Sequence, residues 1–113
     1  MGRKINWDDF EKIEMRVGRV LAVDDFPQAH NPSYLLTIDF GGDLGVRQSS
    51  AAVAGLYAKD ELTGRLVVAV TNFPPKQIAN HRSEVLVLAA VNEDGSMRLL
   101  APDGEVELGA RVR

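Results

Sequence analysis

The sequence predicts an all-β protein with little helix. Aliphatic and aromatic residues are concentrated in five stretches, separated by clusters of turn-forming Gly, Pro, Asn and Asp. A stretch with helix-forming alanines, residues 51–57, lies between the third and fourth of these. Gly18 stands in the middle of the first stretch, as in barrel strands that bend to serve two sheets. This order predicts a five-stranded OB-fold barrel with a short helix between strands 3 and 4; a different small β-barrel or an open meander is the structural alternative.

The pattern places an additional hairpin strand after the five barrel strands. The predicted strands comprise residues 14–26, 34–40, 45–50, 66–71 and 84–90. The fourth is apolar apart from its last residue, so we expect it to be buried on both faces. A turn at residues 92–96 leads into the extra strand at residues 97–100.

Two local features refine the N-terminal part. Asp8 and Glu11 have the spacing of a capping box, which predicts a short helix near the start of the chain. In the first strand, a bulge at Gly18 would turn Val20 and Ala22 inward.

Length and composition limit the kinds of protein that the chain can be. The 113 residues suffice for one domain, 1–113, with one hydrophobic core. The absence of cysteine excludes disulfides, thiolate metal sites and cysteine nucleophiles, and two histidines are too few for a histidine-rich metal cage. We therefore expect no metal and no cofactor. No apolar run approaches the ~20 residues of a membrane-spanning helix, so we expect a cytoplasmic protein that is not inserted in a membrane.

The charge is unevenly distributed. The formal net charge of −3 argues against a polyanionic partner for the chain as a whole. Residues 47–82, however, contain five basic and two acidic residues, so this part carries a local excess of positive charge. Binding of a nucleic acid would therefore have to be local and modest.

Five segments resemble the CsaA family, which is related to the tRNA-binding domains of methionyl-tRNA synthetase and of endothelial-monocyte-activating-polypeptide-type proteins. The segments are DFEKIEMRVG (9–18), IDFG (38–41), QSSA (48–51), NFPP (72–75) and SEVLVL (83–88). The first is shared across the superfamily, whereas NFPP and SEVLVL together point to CsaA itself. The resemblance covers roughly residues 7–112.

The resemblance implies an OB barrel, a homodimer and two kinds of partner. CsaA proteins are described as tRNA-binding by homology and as chaperones that bind unfolded precursor proteins for the export machinery. The terminal segments 1–13 and 92–113 would form the dimer interface. Large apolar residues there are the interface candidates: Trp7, Phe10, Leu99 and Leu100. The alternative is a dimerisation or docking domain without chaperone or RNA activity.

The candidate ligand contacts lie around the connection between strands 4 and 5 and at the end of strand 3. Lysine and arginine could bind phosphates, and Asn or Ser could donate to sugar or base edges. The predicted set is Tyr34, Arg47, Ser49, Ser50, Asn72, Phe73, Lys76, His81, Arg82, Ser83 and Glu84. Ser50 could equally cap the following helix. Tyr34 and Phe73 could form an aromatic groove wall for bases or for apolar side chains of an unfolded polypeptide.

Some positions depart from the family pattern. His30 and Asn31 stand where CsaA relatives usually have basic residues, and Leu35 replaces a common lysine. Asn80-His81 replaces the usual Gly-Phe, and Asn80 can take the left-handed conformation that such a turn needs. The lost cations would weaken phosphate binding.

An enzymatic function finds little support in the sequence. His81 and Ser83 lie two residues apart, but no carboxylate orienter or oxyanion site is recognisable beside them. The glycine-rich segment 41–45 is a hairpin turn rather than a phosphate-cradling motif. We therefore expect a binding protein rather than an enzyme.

Overall fold

A computed structural model describes residues 2–113 of the chain. Within this range it contains two short helices and nine strands. The helices are α1 (Trp7–Glu11) and α2 (Lys59–Leu62). The strands are β1 (Met15–Asp25), β2 (Tyr34–Asp39), β3 (Val46–Ala51), β4 (Leu66–Val70), β5 (Lys76–Ile78), β6 (His81–Ser83), β7 (Leu86–Val87), β8 (Ala89–Val91) and β9 (Met97–Leu99).

Five strands form one antiparallel sheet in the order β3-β2-β1-β4-β7. The long strand β1 pairs with β2 along its C-terminal part and with β4 along its N-terminal part. The sheet curves until β3 approaches the segment that joins β6 to β7. The prediction of an all-β barrel of the OB type is confirmed, because the five strands form a nearly closed antiparallel barrel.

Side chains as well as backbone groups close the seam of the barrel beside β3. The Glu84 N–H donates to the Gln48 carbonyl at 2.8 Å, and the Gln48 N–H donates to Glu84 Oε1 at 3.0 Å. The Ser50 N–H donates to Ser83 Oγ at 3.1 Å. Buried or half-buried backbone donors need partners, so Ser83 and Glu84 here replace part of a strand ladder.

The main core lies inside the barrel, and a second, smaller core lies outside it. Every residue of β4 is buried, as predicted from its apolar sequence. Val67 and Ala69 pack in the main core, whereas Leu66 and Val68 belong to the outer cluster with Val17. The C-terminal segment covers this outer cluster. It is held by backbone hydrogen bonds from Val17 to Ala110 and from Val112 to Met15.

The structure corrects the predicted position of the helix between strands 3 and 4. Ala51 ends β3, residues 52–57 form turns rather than a helix, and the helix is α2. Val53 and Tyr57 are both buried in the main core, so this segment is shaped by the packing of these two side chains. Helix α2 begins after Ala58, whose N–H donates to Glu61 Oε1 at 2.7 Å.

The N-terminal cap and the bulge are also displaced from their predicted positions. The capping box of α1 is formed by Asn6 and Asp9, not by Asp8 and Glu11. The register of β1 against β2 shifts between Val20 and Ala22, not at Gly18. Val20 is buried as predicted. The prediction for Ala22 is wrong, because this residue is exposed at the shift.

Gly18 is required by close packing rather than by a bulge. A Cβ atom built on Gly18 would lie 2.5 Å from Cγ2 of Ile38 and 2.8 Å from the Phe40 ring. Both side chains are almost fully buried, so neither can move aside without disturbing the core. The glycine therefore lets β1 pass directly over the side chains of β2 and its C-terminal extension.

Replacing Gly18 with alanine should overpack the barrel. We expect Gly18→Ala to lower the free energy of unfolding by about 1–3 kcal/mol, the usual cost of an added methyl group in a filled core. The matched control is Gly55→Ala, because a Cβ at Gly55 meets no atom within 4 Å. Urea denaturation of both variants tests the prediction. Equal stability of the two variants would contradict it.

Candidate ligand-binding groove

An unpredicted hairpin, β5–β6, borders a groove beside the barrel seam. The groove has a volume of about 330 Å³ and is called the 73–86 groove below. Its lining residues come from the end of β3, the segment after β4, the hairpin and β7: Ser50, Phe73, Pro74, Lys76, Ile78, Ser83, Glu84, Val85 and Leu86. Five of these belong to the predicted contact set. The other four lining residues were not predicted: Pro74, Ile78, Val85 and Leu86. Alternation of side-chain direction along residues 76–83 could have indicated Ile78, but not the other three.

Apolar side chains on the walls of the 73–86 groove remain open to solvent. Phe73 is 53% exposed and Leu86 is 48% exposed. Pro74 is exposed as well, and Ile78 is half-buried. A continuous apolar surface of this kind in a concave site is typical of a site that binds another apolar group.

The hairpin separates the two predicted cations onto different faces. In β5–β6, Lys76 is opposite Ser83 and Gln77 is opposite Arg82. Successive residues of a strand point to opposite faces, so Lys76 and Ser83 line the groove while Arg82 lies on the other face. Lys76 and Arg82 are both exposed, and within residues 2–113 neither lies within 4.0 Å of a carboxylate.

The acidic wall of the groove is held in place by Arg47. Glu84 Oε2 lies 3.6 Å from Arg47 Nη1, and both side chains are about one-third exposed. Arg47 Nε also donates to the Leu44 carbonyl at 2.8 Å. Arg47 is thus engaged with the protein itself, and its charge is largely balanced by Glu84.

The side chains of two predicted contact residues, Asn72 and Ser49, are occupied by contacts within the protein. The Asn72 side chain accepts the Glu14 N–H at 3.0 Å and donates to the Lys12 carbonyl at 2.7 Å, which fixes the chain after α1. Ser49 is fully buried, and its hydroxyl donates to the Ser50 carbonyl at 3.0 Å. Ser50 lies within β3 and does not cap a helix.

Tyr34 does not line the groove either. Only 7% of Tyr34 is exposed, and its hydroxyl donates to the Tyr57 carbonyl at 2.7 Å. The side chain belongs to the main core, because β2 is central to the curved sheet and most of its side chains are buried. Leu35, at the position of the missing family lysine, is buried too.

His81 connects the hairpin to the loop between β1 and β2. Its ring meets the Phe26 ring edge-on, with the centroids 5.1 Å apart. The hairpin turn uses Ala79 at a φ of 50°, so Ala79 rather than Asn80 adopts the left-handed conformation. Half-buried His81 therefore positions the hairpin. His30 and Asn31 lie exposed in the loop that Phe26 anchors.

The predicted interface residues divide into exposed and buried ones. Trp7 is 81% exposed and, with Ile5, Asn6, Phe10 and Arg113, lines a shallow cavity of about 510 Å³. Leu100 is 42% exposed. Leu99 is only 7% exposed and packs in the main core of its own chain, so its side chain is not available to a second copy.

Residues 2–113 contain no group of His, Asp or Glu side chains arranged to hold a metal ion. Across the same range, every helix is too short or too polar to cross a membrane.

Comparison with known proteins identifies relatives over nearly the whole chain. Residues 15–111 match the family model described as "Putative tRNA binding domain". The methionine–tRNA ligase of Thermococcus onnurineus is 40% identical over 110 residues, which are 96% of this chain and 14% of the ligase. The chain therefore spans only a small part of these curated relatives.

Two solved structures of similar length have closely similar folds. The CsaA chaperone protein of Picrophilus torridus is 49% identical with a TM-score of 0.90, over 97% of this chain and 100% of that one. CsaA of Bacillus anthracis is 41% identical with a TM-score of 0.91, over 98% and 100% of the two chains. The resemblance predicted from the sequence is confirmed: the chain belongs to the tRNA-binding domain family, with CsaA chaperones among its structural relatives.

Proposed function

We propose that the chain is a non-catalytic, homodimeric binding protein that holds segments of unfolded polypeptide in the 73–86 groove. The observation that carries this proposal is the pair of exposed apolar side chains, Phe73 and Leu86, on the groove walls. The CsaA relatives are named as chaperones, which agrees with such a ligand. We place the protein in the cytoplasm, with precursor proteins and the export machinery as its partners.

The charges of the groove favour a polypeptide over a bare phosphate backbone. Glu84 places a carboxylate in the wall, which repels phosphate groups, and Arg47 is already engaged with it. Lys76 is the one lining side chain with a free positive charge among the described residues. An extended segment with apolar side chains and few acidic residues fits this combination.

Removing an apolar wall should weaken chaperone activity. We expect Phe73→Ala and Leu86→Ala to reduce suppression of client aggregation at one dimer per client, because each removes exposed apolar area from the groove. Light scattering of an aggregating precursor protein measures the effect. Leu21→Ala is the matched control, since Leu21 is 47% exposed and lies outside the groove. If the unmodified protein leaves aggregation unchanged, the polypeptide proposal fails.

Binding of tRNA is the second candidate function. The family match favours it, as do the free cations Lys76 and Arg82 on the two faces of the hairpin. An RNA could wrap the hairpin and use both faces, whereas a peptide in the groove contacts only one.

Reversing both hairpin charges should abolish tRNA binding. We expect Lys76→Glu/Arg82→Glu to lose the gel shift that the unmodified protein gives with tRNA at low salt, because phosphate contacts become repulsions. Lys4→Glu/Lys59→Glu changes the net charge equally outside the hairpin and should retain the shift. No shift by the unmodified protein would exclude this function. Failure of both the tRNA and the aggregation assays would leave the docking-domain alternative.

The dimer is proposed to form through segments 1–13 and 92–113. Trp7 and Ile5 are the two most exposed large apolar side chains described, and they lie together around the same cavity. Apolar surface concentrated in this way is typical of a protein interface. Phe10 and Leu100 remain candidates for the dimer interface. Leu99 is buried in the main core, so it can only support the interface residues from beneath.

Truncating Trp7 should shift the protein toward the monomer. We expect Trp7→Ala to sediment as a species of about 12 kDa at micromolar concentration, and the unmodified chain at twice that mass. Val46→Ala is the control, because Val46 is 54% exposed on β3 and is not part of segments 1–13 and 92–113. A monomeric unmodified protein would overturn the dimer without affecting the groove.

A further inference from the structure

Two arginines share one aromatic ring at the other end of the barrel. Cζ of Arg65 lies 5.3 Å, and Cζ of Arg98 lies 5.9 Å, from the centroid of the Tyr57 ring. Both are within the distance of about 6 Å at which an aromatic face attracts a cation. Tyr57 is buried, and its hydroxyl oxygen accepts the Leu99 N–H at 3.1 Å. A fixed ring therefore contacts two guanidinium groups, each within 6 Å of its centroid.

These guanidinium groups are free, unlike those of four other arginines. Each of the four donates to an oxygen of the protein and has a carboxylate within 4.0 Å: Arg16, Arg19, Arg47 and Arg111. Within residues 2–113, neither Arg65 nor Arg98 has such a partner. Arg65 is half-buried, so its side chain does not extend fully into solvent although its guanidinium N–H groups have no carboxylate partner.

The geometry points to an anion as the missing partner. Both guanidinium groups contact the same ring and neither has a carboxylate partner, so a bound anion would supply the counter-charge that they lack. The planar guanidinium fork matches the oxygens of a phosphate, and stacking on a ring reduces the conformational entropy lost on binding. We propose that Arg65 and Arg98, held by Tyr57, form a contact site for backbone phosphates of RNA. The proposal rests on the tRNA-binding function suggested above.

This site is separate from the 73–86 groove. Arg65 directly precedes β4 and Thr71 directly follows it, so at about 3.3 Å per residue the two ends of the strand are roughly 20 Å apart, and Phe73 follows Thr71. A structured RNA can cover both positions at once. The site would thus give RNA contacts that do not compete with a polypeptide in the groove.

A carboxylate near the site limits its strength. Arg65 lines a depression of about 430 Å³ together with Asp103 and Glu105. Glu105 is bound by Arg19, which leaves Asp103 as the carboxylate that opposes a phosphate there. Asp103→Asn should therefore tighten RNA binding, opposite to the effect of removing the arginines.

Salt dependence of tRNA binding tests the proposal directly. Fluorescence anisotropy with labelled tRNA over a salt series gives the slope of log K against log salt concentration. We expect Arg65→Gln/Arg98→Gln to reduce the magnitude of this slope by about 1.5–2, as two lost phosphate contacts require. Arg65→Lys/Arg98→Lys keeps the charges but loses the fork, so it should preserve the slope and weaken affinity. Circular dichroism confirms folding of each variant, and sedimentation confirms that each keeps the oligomeric state of the unmodified protein, because Arg98 lies in segment 92–113.

The matched control is Lys59→Gln, compared with Arg65→Gln alone. Lys59 is held at 2.8 Å by Asp25, whose carboxylate raises the pKa of the amine through this hydrogen bond, so its charge is already partnered. The control removes the same net charge and should leave the slope nearly unchanged. An equal fall in slope for Lys59→Gln and Arg65→Gln would mean that only net charge matters, and would overturn the site.

Other outcomes distinguish this site from the function on which it rests. If tRNA binds but Arg65→Gln/Arg98→Gln leaves the slope unaltered, the site is wrong and tRNA binding stands. If the unmodified protein binds no tRNA at any salt concentration, both proposals fail. If the double variant loses affinity for poly-glutamate but not for tRNA, the arginines serve an acidic polypeptide and the RNA site is overturned.

Discussion

The hydrogen bonds that close the barrel seam determine where a ligand can bind. Ser83 and Glu84 bond with their side chains to the backbone of β3, so the chain between β6 and β7 is held against that strand. With this segment fixed, the β5–β6 hairpin projects beside the seam and forms one wall of the 73–86 groove. Ser83 and Glu84 therefore face the groove and support the barrel at the same time. Substitutions at either residue affect folding and binding together, which makes them poor probes of function.

The shared strand β1 imposes the second constraint on the architecture. Its N-terminal half pairs with β4 and the C-terminal segment, and its C-terminal half pairs with β2. Gly18 allows the crossing, because no side chain fits above Ile38 and Phe40. The same crossing creates the outer core around Val17. The C-terminal segment covers this outer core, so it is part of the folded domain in addition to its proposed role at the interface.

Patterns that span several residues were predictable, whereas single contacts were not. The apolar run of β4 indicated its burial, and the family segments indicated the barrel. The position of α2 was missed because packing of Val53 and Tyr57 overrode the helix propensity of the alanines before them. Asn72 was predicted as a ligand contact for its polar side chain, and Tyr34 for its aromatic ring. Their actual partners, Glu14 and Tyr57, are distant in sequence, and no local pattern reveals them.

The distribution of charge is more informative in three dimensions than along the chain. The positive excess of residues 47–82 includes Arg47 and Lys59. Arg47 pairs with Glu84 and Lys59 pairs with Asp25, and both carboxylates lie outside that segment. Counting by sequence therefore overestimates the positive charge available near the groove. The cations of this segment without a carboxylate partner are Lys76 and Arg82 at the hairpin and Arg65 at the far end of β4, where Arg98 joins it. An acidic protein can bind RNA locally in this way, because ion pairs within residues 2–113 engage six of its 13 Lys and Arg side chains and leave others free at separate places on its surface.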